Sequence, residues 1–272
     1  MNLIRTMTFT ITIFFLGISA SGDNPSASEI LKKAADTYKT IKTYKVEGMI
    51  TDVSEVNNIK KGVSEYEFSI LLKKPNQYLI TWFQTNKRRG DIWPMAVWSD
   101  GTQSYFYYGK IYSFYKMMND EMALGYIKPS IIPSIFLPVF KDYETPFSWL
   151  KDPEVEKVEK IGEEDCYVIR GTSEKSKRET IWISKTSYKI RKYYQFRDYL
   201  DYSKTHLDYY KTNKSKLGMS DKEIEEHIEN FKRLNMTGFY SEVYKESSCP
   251  KLNKNDFNFA LPKGAVLKDY LD

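Results

Sequence analysis

The chain has 272 residues, 41% of them hydrophobic and 28% charged, with a formal net charge of +5. These values suit a globular chain rather than a disordered one. The positive charge is scattered, its tightest run being Lys87-Arg88-Arg89, and with no concentrated basic stripe a nucleic-acid partner is not expected. Aromatic residues make up 15% of the chain, including 22 tyrosines, and such side chains favour half-buried pleated surfaces.

In chain order, Met1–Arg5 carries a positive charge, Met7–Ile18 is almost wholly apolar or Thr, and Ala20-Ser21-Gly22 is small. That pattern predicts a secretory signal peptide over residues 1–22, since the apolar run is too short to span a bilayer. No cysteine follows the run, so neither a lipid anchor nor stable membrane insertion is expected. Residues 23–272 then read as a single domain. Ser26-Ala-Ser-Glu29 is a capping box opening a helix. Ile30, Leu31, Ala34, Ala35, Tyr38 and Ile41 line its apolar stripe at helical spacing.

Strands are predicted over Tyr44–Val53, Val63–Leu72 and Gln77–Thr85, with turns at Asn57-Asn58 and Lys74-Pro75-Asn76. In the second of these Tyr66, Phe68, Ile70 and Leu72 share one face and Glu65 and Glu67 the other, and in the third Tyr78, Ile80 and Trp82 share a face. Pro94 is expected to start the next strand. Trp98–Tyr115 then reads as a three-stranded meander, with a type I′ turn at Asp100-Gly101 and a second turn at Gly109-Lys110.

Asn119 is placed to cap a short helix over Asp120–Tyr126. The next stretch holds Ile131, Ile132, Ile135, Phe136, Leu137, Val139 and Phe140 punctuated by Pro129, Pro133 and Pro138. Prolines at that density leave only a short kinked helix or loop. Further strands are predicted over Val155–Ile161, Cys166–Gly171, Glu179–Ser184 and Tyr188–Arg197. The polar segment from Asp198 has no clear period, and a second capping box, Ser220 to Glu223, opens a charged helix to about Leu234. Phe239–Lys245 and Asp256–Phe259 read as the last strands, and Leu261–Ala265 as the closing turn.

Chemistry is sparse. His206 and His227, the only histidines, have no nucleophile-like neighbourhood, and there is no Gly-x-Ser-x-Gly motif or phosphate-cradling glycine loop. An enzyme, a cofactor or a metal is therefore not expected. Cys166 and Cys249 could form one disulfide in an exported chain, yet Cys166 in the run Cys-Tyr-Val-Ile also reads as a small buried hydrophobe.

Several ordered motifs resemble the LolA/LolB-like lipoprotein carrier superfamily. They are ASEILKKAADTYKTIKTYKVEG, KKPNQY, SDGTQSYFYYGKIYSFY, CYVIRG with ETIWISKTSYKIRKYYQF, and the ending DFNFALPKGAVLKDY. The resemblance spans roughly Ser28–Asp198 and Phe239–Tyr270, and residues 198–238 look like a helical insertion. It implies a mainly β (α+β) fold, an unclosed antiparallel β-barrel capped by helices around a hydrophobic cavity. It further implies a soluble exported carrier, periplasmic or secreted, whose cargo is lipid or lipoprotein acyl chains. The alternative is an envelope sensor or scaffold that binds a protein partner, including an envelope membrane protein.

Candidate cavity and lid residues are Phe68, Ile70, Ile80, Trp82, Trp98, Ile131, Ile135, Phe136, Leu137, Phe140 and Trp182. Such pockets are lined mainly by aromatic and aliphatic side chains. The segment Ile131–Phe140 reads either as a lid over the cavity or as a core helix that fills it. As a lid, it would accept Phe136→Asp without global unfolding.

Overall fold

A computed structural model of the chain describes residues 25–57, 59–86, 91–138, 146–174, 176–198, 220–234 and 236–268. The expected signal peptide therefore lies outside the described residues, as do His206 and Phe140.

Twelve strands form one sheet: β1 (Thr43–Val56), β2 (Ile59–Lys73), β3 (Gln77–Asn86), β4 (Asp91–Asp100), β5 (Ser104–Tyr108), β6 (Ser113–Lys116), β7 (Lys151–Ile161), β8 (Glu164–Ser173), β9 (Ser176–Ser184), β10 (Ile190–Asp198), β11 (Met236–Tyr244) and β12 (Val266–Lys268). Their order is β12-β6-β5-β4-β3-β2-β1-β11-β10-β9-β8-β7. Every pairing is antiparallel except β12 with β6. The terminal strands β12 and β7 do not meet, so the fold is mainly β, an unclosed half-barrel. Helices α1 (Ala27–Thr40), α2 (Asp120–Leu124) and α3 (Ile131–Phe136) belong to its covered face, and α4 spans Asp221–Leu234. None of the described helices is long and apolar enough to cross a membrane.

Local chemistry explains where α1, α2 and α4 start. Ser26 and Glu29 form the capping box that starts α1, and Ser220 with Glu223 does the same for α4. Asn119 accepts from Met122 N at 2.7 Å to start α2. Asp120 then accepts from Tyr78 Oη at 2.7 Å and from Ser104 Oγ, which fastens α2 to β3 and β5.

Some boundaries differ from the sequence reading. The β4–β5 connection is longer than a type I′ turn. Asp100 Oδ1 accepts from Thr102 N at 2.9 Å and Gln103 N at 3.3 Å, and Gly101 takes φ +95°, an Asx-type loop in which only Gly is free of strain. Pro94 lies inside β4 rather than at its start. It pairs with Phe83 on β3, one residue beyond the last β5 pair, Met95 with Tyr108, where β4 has a strand on one side only. Asp256–Phe259 is not a strand: Lys254–Phe257 is a 3-10 turn capped by Asn253. The last strand comes later, as β12.

Of the two readings the sequence left open for Cys166 and Cys249, the structure has the unbonded one. Cys166 and Cys249 are both free, the first buried and the second exposed. Cys166 packs with Val168 and Trp182 on the outer face of the sheet, as its buried-hydrophobe reading required.

Strand parity sorts the side chains into two layers. Tyr78, Ile80 and Trp82 of β3 and Met95 and Val97 of β4 join the main core, beneath Ile30, Ala34 and Tyr38 of α1 and Ile132 and Phe136 of α3. Leu79, Ala96 and Trp98 face the other way, into a separate outer cluster with Tyr105, Tyr107, Phe114 and Phe259. Tyr38 ties α1 across the sheet, its hydroxyl accepting from Ile190 N of β10 at 3.0 Å.

Candidate functional site

On the covered face, the register of β8–β11, β1 and β2 lines side chains into cross-strand rows. At one end of this face, Tyr167, Ile183 and Ile190 pair in one row and Tyr244, Gly48 and Phe68 in another, both almost wholly apolar. Gly48 has no room for a side chain, because a Cβ would lie 2.3 Å from the Phe68 ring and 2.2 Å from Val243 O. The next row runs Ile169, Ile181, Tyr193, Glu242, Ile50 and Tyr66. Beyond it come Gly171, Glu179, Gln195, Tyr240, Asp52 and Ser64. Polarity therefore rises step by step along the barrel.

Where the polar row begins, the helices no longer fill the space. A half-open cleft of roughly 590 Å³ lies there. Its floor is Ser173, Glu179, Tyr193, Gln195, Arg197 and Tyr240, and its roof is Tyr126, Ile127, Lys128, Ser130, Ile131 and Ser134, with Trp149 and Glu121 also lining it. Trp149 meets Tyr193 edge-on at 6.0 Å, the arrangement aromatic quadrupoles prefer.

Two buried carboxylates hold the floor together, Glu179 within it and Glu242 behind it. Glu179 accepts from Tyr193 Oη at 2.6 Å, from Gln195 Nε2 at 3.3 Å and from Ser173 Oγ. Glu242 is fully buried, at 0% exposure, and that burial pushes its carboxyl up to about 8 against hydrogen bonds that favour the charge. It accepts from Ser130 N at 3.2 Å and from Tyr244 Oη. The Tyr240 hydroxyl lies 2.6 Å from Lys128 O and 2.9 Å from Glu242 Oε1. A tyrosine has one proton to donate. If Lys128 O takes it, a proton on Glu242 completes the set, in keeping with the raised carboxyl. These bonds fasten the roof to the sheet at residues 128–130.

Arg197 completes the floor. Its guanidinium lies 3.2 Å from Asp52 Oδ2 and 4.8 Å from the Tyr240 ring centroid, and its Nε donates to Gln195 Oε1 at 3.3 Å.

The residues singled out from sequence scatter. Phe68, Ile70, Ile80 and Trp82 lie together on the covered face, but as core already occupied by α1 and α3. Phe136 is 2% exposed, its ring tilted against Tyr44 at 5.7 Å with Lys74 Nζ 4.7 Å from its centroid, and Leu137 is buried beside it. Phe136 is thus packed into the main core rather than standing as a free lid residue. Ile135 is half-buried against the same cluster. Ile131 lines the cleft.

Trp98 and Trp182 do not face the cavity. Each follows an inward residue, Val97 or Ile181, so the period of 2 turns it outward. Sequence reading passed over Glu179 and Glu242. The signal was an acid in phase with a buried strand face, as in Tyr240-x-Glu242-x-Tyr244 and Glu179-x-Ile181-x-Ile183.

No family model matches the chain, and no curated protein does. Among solved structures, it is similar to a LolA superfamily protein from Nitrosomonas europaea at 11% identity, covering 87% of this chain and 99% of that one, with a TM-score of 0.34. An uncharacterized conserved protein from Thermus thermophilus matches at 8% identity over 89% of this chain and 98% of that one, with a TM-score of 0.44. The lipoprotein LppX of Mycobacterium tuberculosis matches at 11% identity over 82% and 95%, with a TM-score of 0.42. The helix-capped, unclosed half-barrel is the architecture that the resemblance to the LolA/LolB-like superfamily implied, and the functional reading rests on the cleft itself.

Proposed function

We propose that this chain is an exported binding protein that carries an amphipathic lipid, or the acyl chains of a lipoprotein, in the cleft beneath the α2–α3 segment. The carrying observation is a half-open cleft of roughly 590 Å³ with Ile127, Ile131 and Trp149 on one side and Glu179, Gln195 and Arg197 on the other. Its size falls within the ~300–1,000 Å³ of small-molecule sites, which pair an apolar lining with a few placed polar groups. Acyl carbons pack beneath the roof, and the polar end meets the floor. Periplasmic or secreted location follows from the N-terminal pattern. No catalytic step belongs to this reading.

The test is lipid extraction from protein purified out of cells, followed by mass spectrometry, together with titration of a fluorescent fatty-acid probe. Ile131→Asp should weaken the probe at least tenfold while leaving the far-ultraviolet circular dichroism unchanged. Probe affinity unaffected by that change would overturn the assignment of the cleft.

A second reading draws on the β10–β11 connection. Asp198 at the end of β10 pairs with Thr237 of β11, so the connection between these strands starts and ends at neighbouring points of the sheet, and connections carry recognition on a constant scaffold. In that reading the chain is an envelope sensor or scaffold for a protein partner. Deleting residues 199–235 would then abolish partner capture and leave the lipid content intact.

A further inference from the structure

The outer face of the sheet holds a second concavity, independent of the cleft. A half-open groove of roughly 310 Å³ crosses β7–β10, and Lys157, Arg178, Lys192, Thr180, Trp182 and Tyr194 line it together with Glu156. Register explains the convergence of the cations. Lys157 pairs with Val168, Val168 with Trp182, and Trp182 with Lys192, forming one cross-strand row. Arg178 and Thr180 lie on the same face of β9 as Trp182, at steps of two.

The donors are held in place. Lys192 Nζ lies 4.5 Å from the Trp182 ring centroid, and the Arg178 guanidinium 5.9 Å from that of Tyr194. Trp182 is 8% exposed, and its buried indole Nε1 has the Glu159 carboxylate as its neighbouring acceptor but makes no well-formed hydrogen bond. An indole N–H can only donate, and a buried donor left unmet is costly. With Lys157, Arg178 and Lys192 set against Glu156 and Glu159, the groove keeps one excess positive charge. Glu159 is held by Lys157 at 2.7 Å, Glu156 is exposed, and neither Arg178 nor Lys192 has an ion-pair partner among the described residues.

We propose that this groove binds a phosphate-type oxyanion, with Arg178 and Lys192 as its principal ligands and Lys157, Thr180 and the Trp182 indole as further donors. All the lining cations are pure donors, and the ionised oxygens of a phosphate are acceptors. The guanidinium fork matches two of its oxygens, while the ammonium groups act as point charges. A groove of this volume takes one such group. The group belongs either to a phospholipid headgroup or to a soluble phosphorylated molecule.

The test has two arms on the purified protein: calorimetric titration with sodium phosphate, and sedimentation with phosphatidylcholine vesicles containing phosphatidylglycerol. The protein should bind in at least one arm. Arg178→Glu combined with Lys192→Glu should weaken that binding at least tenfold, and Trp182→Phe severalfold. A control, Lys32→Glu with Lys251→Glu, makes the same change in net charge at exposed positions away from the groove and should leave binding within twofold. Binding to phosphate assigns a soluble ligand, and binding to vesicles alone assigns a headgroup. No binding in either arm overturns the proposal, as does an equal loss in the control. Failure here leaves the fatty-acid probe result in the cleft untouched, so the two readings fall separately.

Discussion

Beneath α1 and α3, strands β2–β4 present Phe68, Ile70, Leu72, Tyr78, Ile80, Trp82, Met95 and Val97 to the helices, and the space is full. Farther along the same covered face, the ends of β8–β11 present Ser173, Glu179, Gln195, Arg197 and Tyr240, and a cleft of roughly 590 Å³ stays half open. Ile169, Ile181 and Ile183 of those strands join the filled core. Both halves are antiparallel ladders with the same pleat, so backbone geometry does not separate them. The inward side chains do. Apolar rows gain roughly 25 cal/mol for each Å² withdrawn from water, which draws helices down on them. Polar rows satisfied by each other have no such reason to be covered. A cleft is left open where the inward positions stop being apolar.

The largest expected effect breaks the filled half. Phe136→Ala removes a fully packed ring between Tyr44 and Lys74 and should cost about 3–5 kcal/mol, read as a fall in the urea midpoint. A loss below about 1 kcal/mol would mean that α3 is not anchored there and that the two halves are alike.

A second change sharpens the polar half. Glu242 has its carboxyl pushed up to about 8 by burial, against an ordinary value of 4.5. Between those limits the folded protein keeps a proton that the unfolded chain has released. The resulting stability is full below about pH 4.5 and is lost as pH rises toward 8. Glu242→Gln, neutral at every pH, should flatten that slope in urea midpoints compared between pH 5 and pH 9. An unchanged slope would place the titration elsewhere.

The smallest effect concerns the cover of the filled half. Ser26→Ala removes the side-chain cap of α1 and should cost about 1 kcal/mol in a thermal melt. The cleft should keep its probe affinity, because α1 does not line it.

Local chemistry was legible without the structure. Both capping boxes, the Asn119 cap and the alternation in β2 and β3 depend on residues within a few positions of one another, and each element lies close to its expected place. The meander was legible as well, though its first loop closes on the Asp100 carboxylate instead of a two-residue turn. Trp98 and Trp182 were legible as strand residues but misassigned to the cavity, because hydrophobicity alone does not say which of two packed faces a large ring joins. The outer face carries its own clusters.

Side-chain spacing along the chain thus determined the elements, their caps and the mainly β class. Tertiary structure alone decided which elements meet. β12 pairs with β6 from more than 150 positions away in parallel register, a contact with no local signature. The cleft depends on the same kind of information. Glu179, Gln195, Tyr240 and Asp52 share one row only because β9, β10, β11 and β1 are neighbours in the sheet. Whether α3 roofs a cavity or fills it turns on where the apolar rows end, and a row exists only once distant strands have paired.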